Sequence, residues 1–210
     1  MKFSEIREKI AEDILEIVDH EYIMFDKVQN IGGRADCQDN RPTFYIMRSS
    51  QLSAWSEEMR RSYLQDLLEA EAAGRNLLTE KYAYMMEQTN PAEYAQIADR
   101  LPARSREKLD LIAEISRQQV AWQEELSEAF PVLTGRGRAT HSGDDRAWAT
   151  SFETYLRGEL STYSMKTLSL YEAHVESLRA AGTNMNRAIL QKEVELYGYP
   201  SLEAAEKAHG

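Results

Sequence analysis

The sequence contains a single cysteine, Cys37, among its 210 residues. One cysteine can form neither an intramolecular disulfide nor a cysteine-rich zinc site, so both are excluded. A free cysteine is usually buried and unreactive. We therefore expect Cys37 to be a buried thiol. The alternative is a nucleophile, for which His141 would have to serve as the base.

Long apolar runs are also missing, and none approaches the roughly 18 residues that a membrane-spanning helix requires. The first residues include Lys2, Glu5 and Arg7, so they are charged and amphipathic. They lack the apolar core of a signal peptide. The sequence therefore predicts a cytoplasmic protein with no membrane partner.

Positive charge is scarce, because 25 Lys and Arg residues face 35 Asp and Glu residues and the formal net charge is -10. Nucleic acids and anionic membranes both favour a positive protein surface. The charge balance therefore disfavours a nucleic-acid partner. The expected partner is a small polar or anionic ligand, and the sequence leaves the oligomeric state open.

The sequence has no β-type alternation longer than four residues and no internal repeat. Apolar residues instead recur at helical spacing along most of the chain. This pattern predicts an all-α fold, an antiparallel helical bundle with additional short helices, in one domain over residues 1–210. About eight or nine helices are predicted, over residues 4–29, 42–55, 56–73, 76–88, 91–101, 105–130, 150–181, 184–196 and 201–209. Residues 30–41 and 131–149 are predicted to be loops.

Two carboxylates fall on the apolar faces of predicted helices. In the helix over residues 150–181, Glu159 lies about 20° from Phe152 on a helical wheel. Tyr155 and Tyr163 stand one turn before and one turn after it, at contact spacing. In the first helix, Glu21 lies about 20° from Ile14. A buried carboxylate is costly unless it is paired, so these positions predict a polar interior.

Further polar residues point inward on other helices. Arg48 and Gln51 fall within about 40° of Phe44, and Gln119 lies among the apolar residues of the helix over residues 105–130. One interpretation is a buried ion network that fixes helix register without a ligand. The other is a polar pocket, covered by the loop of Arg34 and Cys37 and by the loop over residues 131–149.

In the pocket interpretation Glu159 or Glu21, with its pKa raised by burial, is the catalytic acid or base. Tyr163 donates a proton or a hydrogen bond to a developing anion. Arg48 or Arg34 holds a carboxylate or phosphate of the substrate bidentately. The full set of predicted substrate-binding residues is Arg48, Gln51, Arg34, Gln119, Tyr155 and Arg157.

No cofactor signature is present, and none is predicted. Only one of the four histidines, His209, follows a glutamate by three residues, whereas the di-iron sites of ferritin-like bundles need such a pair on each of two helices. A metal ion is not excluded, because Glu21, Glu159 and His174 offer a carboxylate-rich alternative. His174 is about four turns beyond Glu159, however, so we expect it to be a hydrogen-bonded core histidine.

Five segments of the chain resemble a bacterial family known as domain of unknown function 4125. They are residues 21–25 (EYIMF), 32–38 (GGRADCQ), 47–51 (MRSSQ), 74–82 (GRNLLTEKY) and 151–163 (SFETYLRGELSTY). Tyr22 departs from the tryptophan expected after Glu21, but it keeps an aromatic ring. The resemblance covers almost the whole chain. It implies that these polar segments matter to the family, and it implies no activity.

The sequence thus supports three hypotheses. The leading one is a small helical enzyme that performs acid–base chemistry on a small anionic metabolite. The others are a non-catalytic ligand-binding protein and a helical scaffold with a purely structural polar interior. A deep pocket that reaches Glu159 and Arg48 would separate the first two hypotheses from the third.

Overall fold

A computed structural model of the chain describes residues 2–29, 33–146 and 149–210. Residues 30–32 and 147–148, which belong to the two predicted loops, lie outside the described residues. The described ranges form thirteen α-helices, two 3₁₀ helices and one isolated antiparallel bridge between Arg146 and Ala149. The all-α class is therefore confirmed, whereas the predicted number of helices was too low.

In chain order the helices are α1 (Phe3–Arg7), α2 (Glu12–Asp26), α3 (Asp36–Asp39), α4 (Arg41–Ser53), α5 (Glu57–Ala72), α6 (Leu77–Thr89), α7 (Pro91–Tyr94), α8 (Arg106–Ala129), α9 (Pro131–Gly135), α10 (Phe152–Leu160), α11 (Met165–Ala180), α12 (Met185–Leu196) and α13 (Leu202–His209). The 3₁₀ helices are Ala98–Arg100 and Ser142–Asp144.

One continuous apolar core runs from Ile6 in α1 to Leu196 in α12. Helix α2 packs on α4, α5 and α6, and α10 packs on α6 and α8. Helix α12 packs on α4 and α8, while α13 packs on α9 and α12 around a smaller apolar cluster. Helices α2, α4, α5, α6 and α10 therefore surround a shared interior, and the polar residues lie there.

The first predicted helix is divided into α1 and α2. Ala11 has extended backbone angles and forms the N-cap of α2, so the helix does not continue through it. The break was not visible in the sequence because the apolar spacing continues across it. Ile6 and Ile10 before the break and Ile14 after it are all buried. Arg7 of α1 binds Asp19 of α2 through two hydrogen bonds of 2.7 and 3.1 Å, which hold α1 against the bundle.

The predicted helix over residues 150–181 is likewise divided, into α10 and α11. The Ser161 and Thr162 hydroxyls donate to the backbone oxygens of Arg157 and Glu159 at 2.8 and 2.7 Å. Ser164 then caps α11 by accepting the N–H of Thr167. Hydroxyl side chains that hydrogen-bond to the neighbouring backbone terminate helices in this way.

Some predicted helix starts were more reliable than the predicted helix lengths. Ser56 and Ser105, the first residues of two predicted helices, are the N-caps of α5 and α8, and their hydroxyls accept backbone N–H groups. The first helix was predicted to begin at residue 4, whereas α1 begins at Phe3 with Lys2 as its N-cap. The predicted loop over residues 131–149 contains α9, whose first N–H groups donate to the Glu206 carboxylate at 2.8 Å.

Glu193 on α12 gives rise to a pH-dependence of stability. Burial raises the pKa of Glu193 to about 7 from an ordinary value of 4.5. The folded state therefore binds this proton more tightly than the unfolded state, and the carboxylate destabilises the fold above pH 7. This loss of stability disappears as the pH falls below 4.5, the ordinary pKa of a glutamate carboxyl group.

We expect Glu193→Gln to raise the free energy of unfolding by about 2 kcal/mol at pH 8 and to change it little near pH 4.5. Urea denaturation at the two pH values measures the difference. Glu195→Gln, an exposed change on the same helix, is the control and should have little effect at either pH. An equal effect of Glu193→Gln at both values would contradict the prediction.

Candidate functional site

Arg48 and Glu21 form a buried, two-pronged ion pair between α4 and α2. The Arg48 Nε donates to Glu21 Oε2 at 2.8 Å, and Nη2 donates to Glu21 Oε1 at 2.5 Å. Arg48 is 6% exposed and Glu21 is 0% exposed. The Tyr63 hydroxyl on α5 adds a bond of 2.7 Å to Glu21 Oε1. Such bidentate geometry is the strongest form of an arginine–carboxylate contact.

Glu159 on α10 receives donors from α4, from α6 and from the turn that follows α10. Its Oε1 accepts Arg48 Nη1 at 3.0 Å, Gln51 Nε2 at 2.9 Å and the Tyr163 hydroxyl at 2.6 Å. Its Oε2 accepts Lys81 Nζ of α6 at 2.6 Å. The contact with Tyr163 confirms the predicted one-turn spacing, although the helix ends at Leu160 between the two residues.

We call the group formed by Glu21, Arg48, Gln51, Tyr63, Lys81, Glu159 and Tyr163 the polar core. It contains two carboxylates and two cations, so its formal charge is zero. Aromatic rings enclose it, with Tyr63 and Tyr163 centroids 4.8 Å apart and Trp55 at 5.5 and 5.8 Å from them. Ionic groups in apolar surroundings must be fully paired, and this arrangement meets that condition.

The charges within the polar core reverse one expectation. Burial by itself raises the pKa of Glu159, but the positive charges of Arg48 and Lys81 outweigh it and hold the pKa well below its ordinary value. The predicted raised pKa was therefore wrong for Glu159, which is a carboxylate at any physiological pH. Burial and the neighbouring carboxylates raise the pKa of the Tyr63 and Tyr163 hydroxyls, so both remain protonated donors.

Five of the predicted site residues meet in the polar core, namely Glu21, Arg48, Gln51, Glu159 and Tyr163. Tyr155 lies at its edge, where its ring faces Lys81.

The other three predicted residues lie elsewhere. Arg34 is on the surface and binds Asp26 and Asp39. Gln119 is buried, but it donates to Tyr171 and Met185. Arg157 is half exposed and pairs with Glu153.

Lys81 and Tyr63 were missed, although their positions carried a signal. Lys81 follows the buried Leu78 by three residues and precedes the buried Met85 by four, so it shares their helix face. Tyr63 stands four residues from both Met59 and Leu67 in the same way. A lysine in such a position is ordinarily expected to reach solvent, and here its side chain is only 3% exposed.

The remaining candidates of the sequence have ordinary surroundings. Cys37 is exposed, so the expectation of a buried thiol was wrong. His141 pairs with Glu124 at 3.1 Å on the surface. His174 Nε2 is 2.8 Å from the backbone oxygen of Ala54, which confirms a hydrogen-bonded histidine that is partly buried.

Within the described ranges, no three His, Cys, Asp or Glu side chains converge as a metal site would require. Glu21 and Glu159 instead direct their oxygens at Arg48 and Lys81. In the same ranges no helix combines the length and apolar character needed to cross a bilayer.

A groove of about 410 Å³ lies between α6, α8 and α10. Neither Glu159 nor Arg48 lines it, because it opens on a different face of α10 from the polar core. The predicted pocket reaching both residues is therefore not this groove. Its lining consists of Tyr84, Glu87, Gln88, Arg104, Arg106, Leu109, Asp110, Ile112, Ala113, Ser142, Thr154, Arg157, Gly158 and Ser161.

Gly158 allows α10 to approach α6 closely at the wall of this groove. A Cβ atom added at Gly158 would lie 2.5 Å from Met85 Cγ and 3.0 Å from the backbone oxygen of Lys81. Residue 158 therefore fixes the distance between the helix that carries Glu159 and the helix that carries Lys81.

Comparison with known proteins gives one family match. The sequence profile of a family described as "protein of unknown function (DUF4125)" matches residues 9–207. No curated protein and no solved structure matches the chain. The match covers the whole polar core, the whole groove and all five segments that carried the resemblance.

Proposed function

The chain belongs to the DUF4125 family, and we propose that it binds a small amphipathic anion, a carboxylate or phosphate group on an apolar body, in the groove between α6, α8 and α10. Binding without turnover is the proposed activity. The proposal keeps the cytoplasmic location and the small anionic partner that the sequence suggests. It moves the ligand from the interior of the bundle to a groove beside it.

The chemistry of the two groove walls carries this proposal. Helix α10 and the residue after it contribute the polar side chains Thr154, Arg157 and Ser161. Helix α8 contributes the apolar side chains Leu109, which is 39% exposed, and Ile112, together with the charged pair Arg106 and Asp110. Ligand sites commonly combine apolar walls with a few fixed polar groups, and a volume of about 400 Å³ suits a small molecule.

Three arginines, Arg104, Arg106 and Arg157, and two carboxylates, Glu87 and Asp110, line the groove, so its formal charge is +1 in a protein of net charge -10. The Arg104 guanidinium is held in place, because it donates to Ser161 Oγ at 3.2 Å and to Glu87 Oε2 at 2.8 Å. Arg157 makes only a 3.4 Å contact with Glu153, and both side chains are partly exposed. Exposed pairs of this kind contribute little to stability, so a ligand anion can displace them at low cost.

The groove is better suited to binding than to chemistry. Its lining contains neither histidine nor cysteine, and its two carboxylates, Glu87 and Asp110, are paired with Arg104 and Arg106. The Tyr84 hydroxyl donates to the backbone oxygen of Pro102 at 2.7 Å, and burial raises its pKa to about 12. The polar core supports this function indirectly, because it anchors α10 through Glu159.

Acid–base chemistry at Glu159 is the second candidate. It is favoured by two proton donors within 2.6 Å of the carboxylate, Lys81 Nζ at Oε2 and the Tyr163 hydroxyl at Oε1. Under this alternative, Glu159→Gln abolishes the conversion of a bound metabolite while binding persists. Product analysis of the ligands that bind in the experiment below distinguishes the two candidates.

The binding proposal is tested by isothermal titration calorimetry with hexanoate, phenyl phosphate, inorganic phosphate and hexanol. We expect the two amphipathic anions to bind and hexanol and inorganic phosphate to bind far more weakly. The double variant Arg106→Ala/Arg157→Ala should bind the amphipathic anions about tenfold more weakly, because it loses charge-assisted hydrogen bonds.

The matched control is Arg117→Ala/Arg179→Ala. It removes two exposed arginines that pair with glutamates three residues away and do not line the groove. This control has the same net charge as the groove variant and should bind normally. The proposal is overturned if no probe binds, or if both double variants weaken binding equally.

A further inference from the structure

The ring of Tyr155 lies between two cations at the edge of the polar core. Lys81 Nζ is 3.5 Å from the ring centroid, and the Arg138 guanidinium carbon is 4.4 Å from the same centroid. Cations attract the face of an aromatic ring, but a partly exposed contact contributes only about 0.5–2 kcal/mol. The ring therefore occupies a position between two positive charges that an anion would fill more favourably.

Lys81 contributes hydrogen-bonding capacity to this position. Its ammonium carries three N–H donors, and Glu159 Oε2 accepts one of them at 2.6 Å. The face of Tyr155 covers the ammonium on another side, where a π face is a weaker acceptor than a carboxylate or phosphate oxygen. The Lys81 side chain is 3% exposed, so an anion that bound there would be largely shielded from water.

Arg138 contributes the uncompensated charge. The polar core is neutral by itself, because Glu21 and Glu159 balance Arg48 and Lys81. Arg138 donates to the backbone oxygen of Thr150 at 2.8 Å. Within the described part of the chain it forms no ion pair with a carboxylate. The position between Lys81 and Arg138 therefore has room for one negative charge on electrostatic grounds.

We propose that Tyr155 is a displaceable plug over an anion site, and that a carboxylate or phosphate group binds between Lys81 Nζ and the Arg138 guanidinium when the ring turns away. Tyr155 is only partly buried, so its side chain has a route to solvent. The exchange replaces two cation–π contacts with charge-assisted hydrogen bonds, which are stronger. The site lies on a different face of α10 from the groove and does not depend on the groove function.

The experiment removes the plug. Binding of acetate and of inorganic phosphate is measured by isothermal titration calorimetry in the wild-type protein and in Tyr155→Ala. We expect Tyr155→Ala to bind one of the two probes at least about tenfold more tightly, since binding no longer has to displace the ring. The preferred probe identifies the ligand group as a carboxylate or a phosphate. Tyr155→Leu leaves part of the space filled, and it should give a smaller gain.

Two arginine variants in the Tyr155→Ala background locate the site. Adding Arg138→Ala should abolish the gain. Adding Arg146→Ala, which removes another exposed arginine with no carboxylate partner in the described ranges, should preserve it. Adding the groove changes Arg106→Ala/Arg157→Ala should also preserve the gain, which separates this site from the groove.

The proposal is overturned if folded Tyr155→Ala and Tyr155→Leu bind neither probe more tightly than the wild type. It is also overturned if Arg138→Ala and Arg146→Ala reduce binding equally, because the anion would then respond only to net charge. If Tyr155→Ala does not fold, the Tyr155→Leu series with the same two arginine changes decides the question.

Discussion

Replacing Arg48 with methionine is expected to lower the free energy of unfolding by about 3–5 kcal/mol. The change keeps much of the side-chain volume but leaves Glu21 and Glu159 without the cation that they share. Glu21 is then a fully buried carboxylate whose remaining bond is to the Tyr63 hydroxyl. A buried charge without a partner is among the most destabilising defects that one substitution can create. Urea denaturation monitored by circular dichroism measures the loss.

The control for this prediction is Arg61→Met on α5. Arg61 pairs with Glu57 on the surface, where both side chains are mostly exposed, so we expect a change within about 0.5 kcal/mol. The double variant Arg48→Met/Glu21→Gln should be more stable than the sum of its two single changes predicts, because it removes both halves of one ion pair. If Arg48→Met lowered the free energy of unfolding as little as Arg61→Met, the polar core would contribute little to stability.

Gly158→Val is expected to lower the free energy of unfolding by about 3 kcal/mol. Its Cβ would meet Met85 Cγ at 2.5 Å and the backbone oxygen of Lys81 at 3.0 Å. The Met85 side chain can move aside, but the backbone of α6 can do so only by separating from α10. That separation lengthens the bond between Lys81 and Glu159 and changes the wall of the groove. Thermal and urea denaturation measure the stability, and titration of the groove probes should show weaker binding.

Gly135→Val provides the matched control, because a Cβ at Gly135 has no atom within 4 Å and the residue does not adopt a positive φ. We expect it to change stability by less than about 1 kcal/mol. If both glycine variants were equally stable, the close approach of α10 to α6 would not be a constraint on this fold.

Sequence spacing predicted those contacts of the polar core whose two residues are close together in the sequence. Glu159 and Tyr163 are four residues apart, and their hydroxyl–carboxylate bond forms as that spacing implies. Glu21 and Arg48 were found because each lies on the apolar stripe of its own helix. Their meeting follows from physical necessity, since two buried opposite charges on neighbouring helices must pair.

Residues whose partners come from distant segments were not predictable in the same way. Gln119 points inward as expected, but α8 carries it to Tyr171 and Met185. Arg34 is a different case, because two aspartates close to it in the sequence, Asp26 and Asp39, bind it on the surface. A helical wheel states which direction a side chain takes and not which helix it meets.

The helix breaks escaped prediction for a related reason. Periodicity continues across residues 8–11 and 161–164, because the residues on both sides of each break face the same core. A helix start depends on one or two capping side chains, so the predicted starts at Ser56 and Ser105 agree with the caps of α5 and α8. The capping role of Ser164 was obscured because its neighbours fit a continuous apolar stripe.

The four ions of the polar core come from sequence positions 21, 48, 81 and 159, and their wide separation has a consequence for folding. A collapsed chain in which α10 docks in the wrong place buries Arg48 or Lys81 with no carboxylate from residue 159 to meet it. Apolar side chains tolerate such errors, because one apolar surface can replace another as a packing partner. A buried ion without a partner of opposite charge is not tolerated. The four charges therefore disfavour compact states with the wrong helix arrangement, and they widen the energy gap between those states and the native fold.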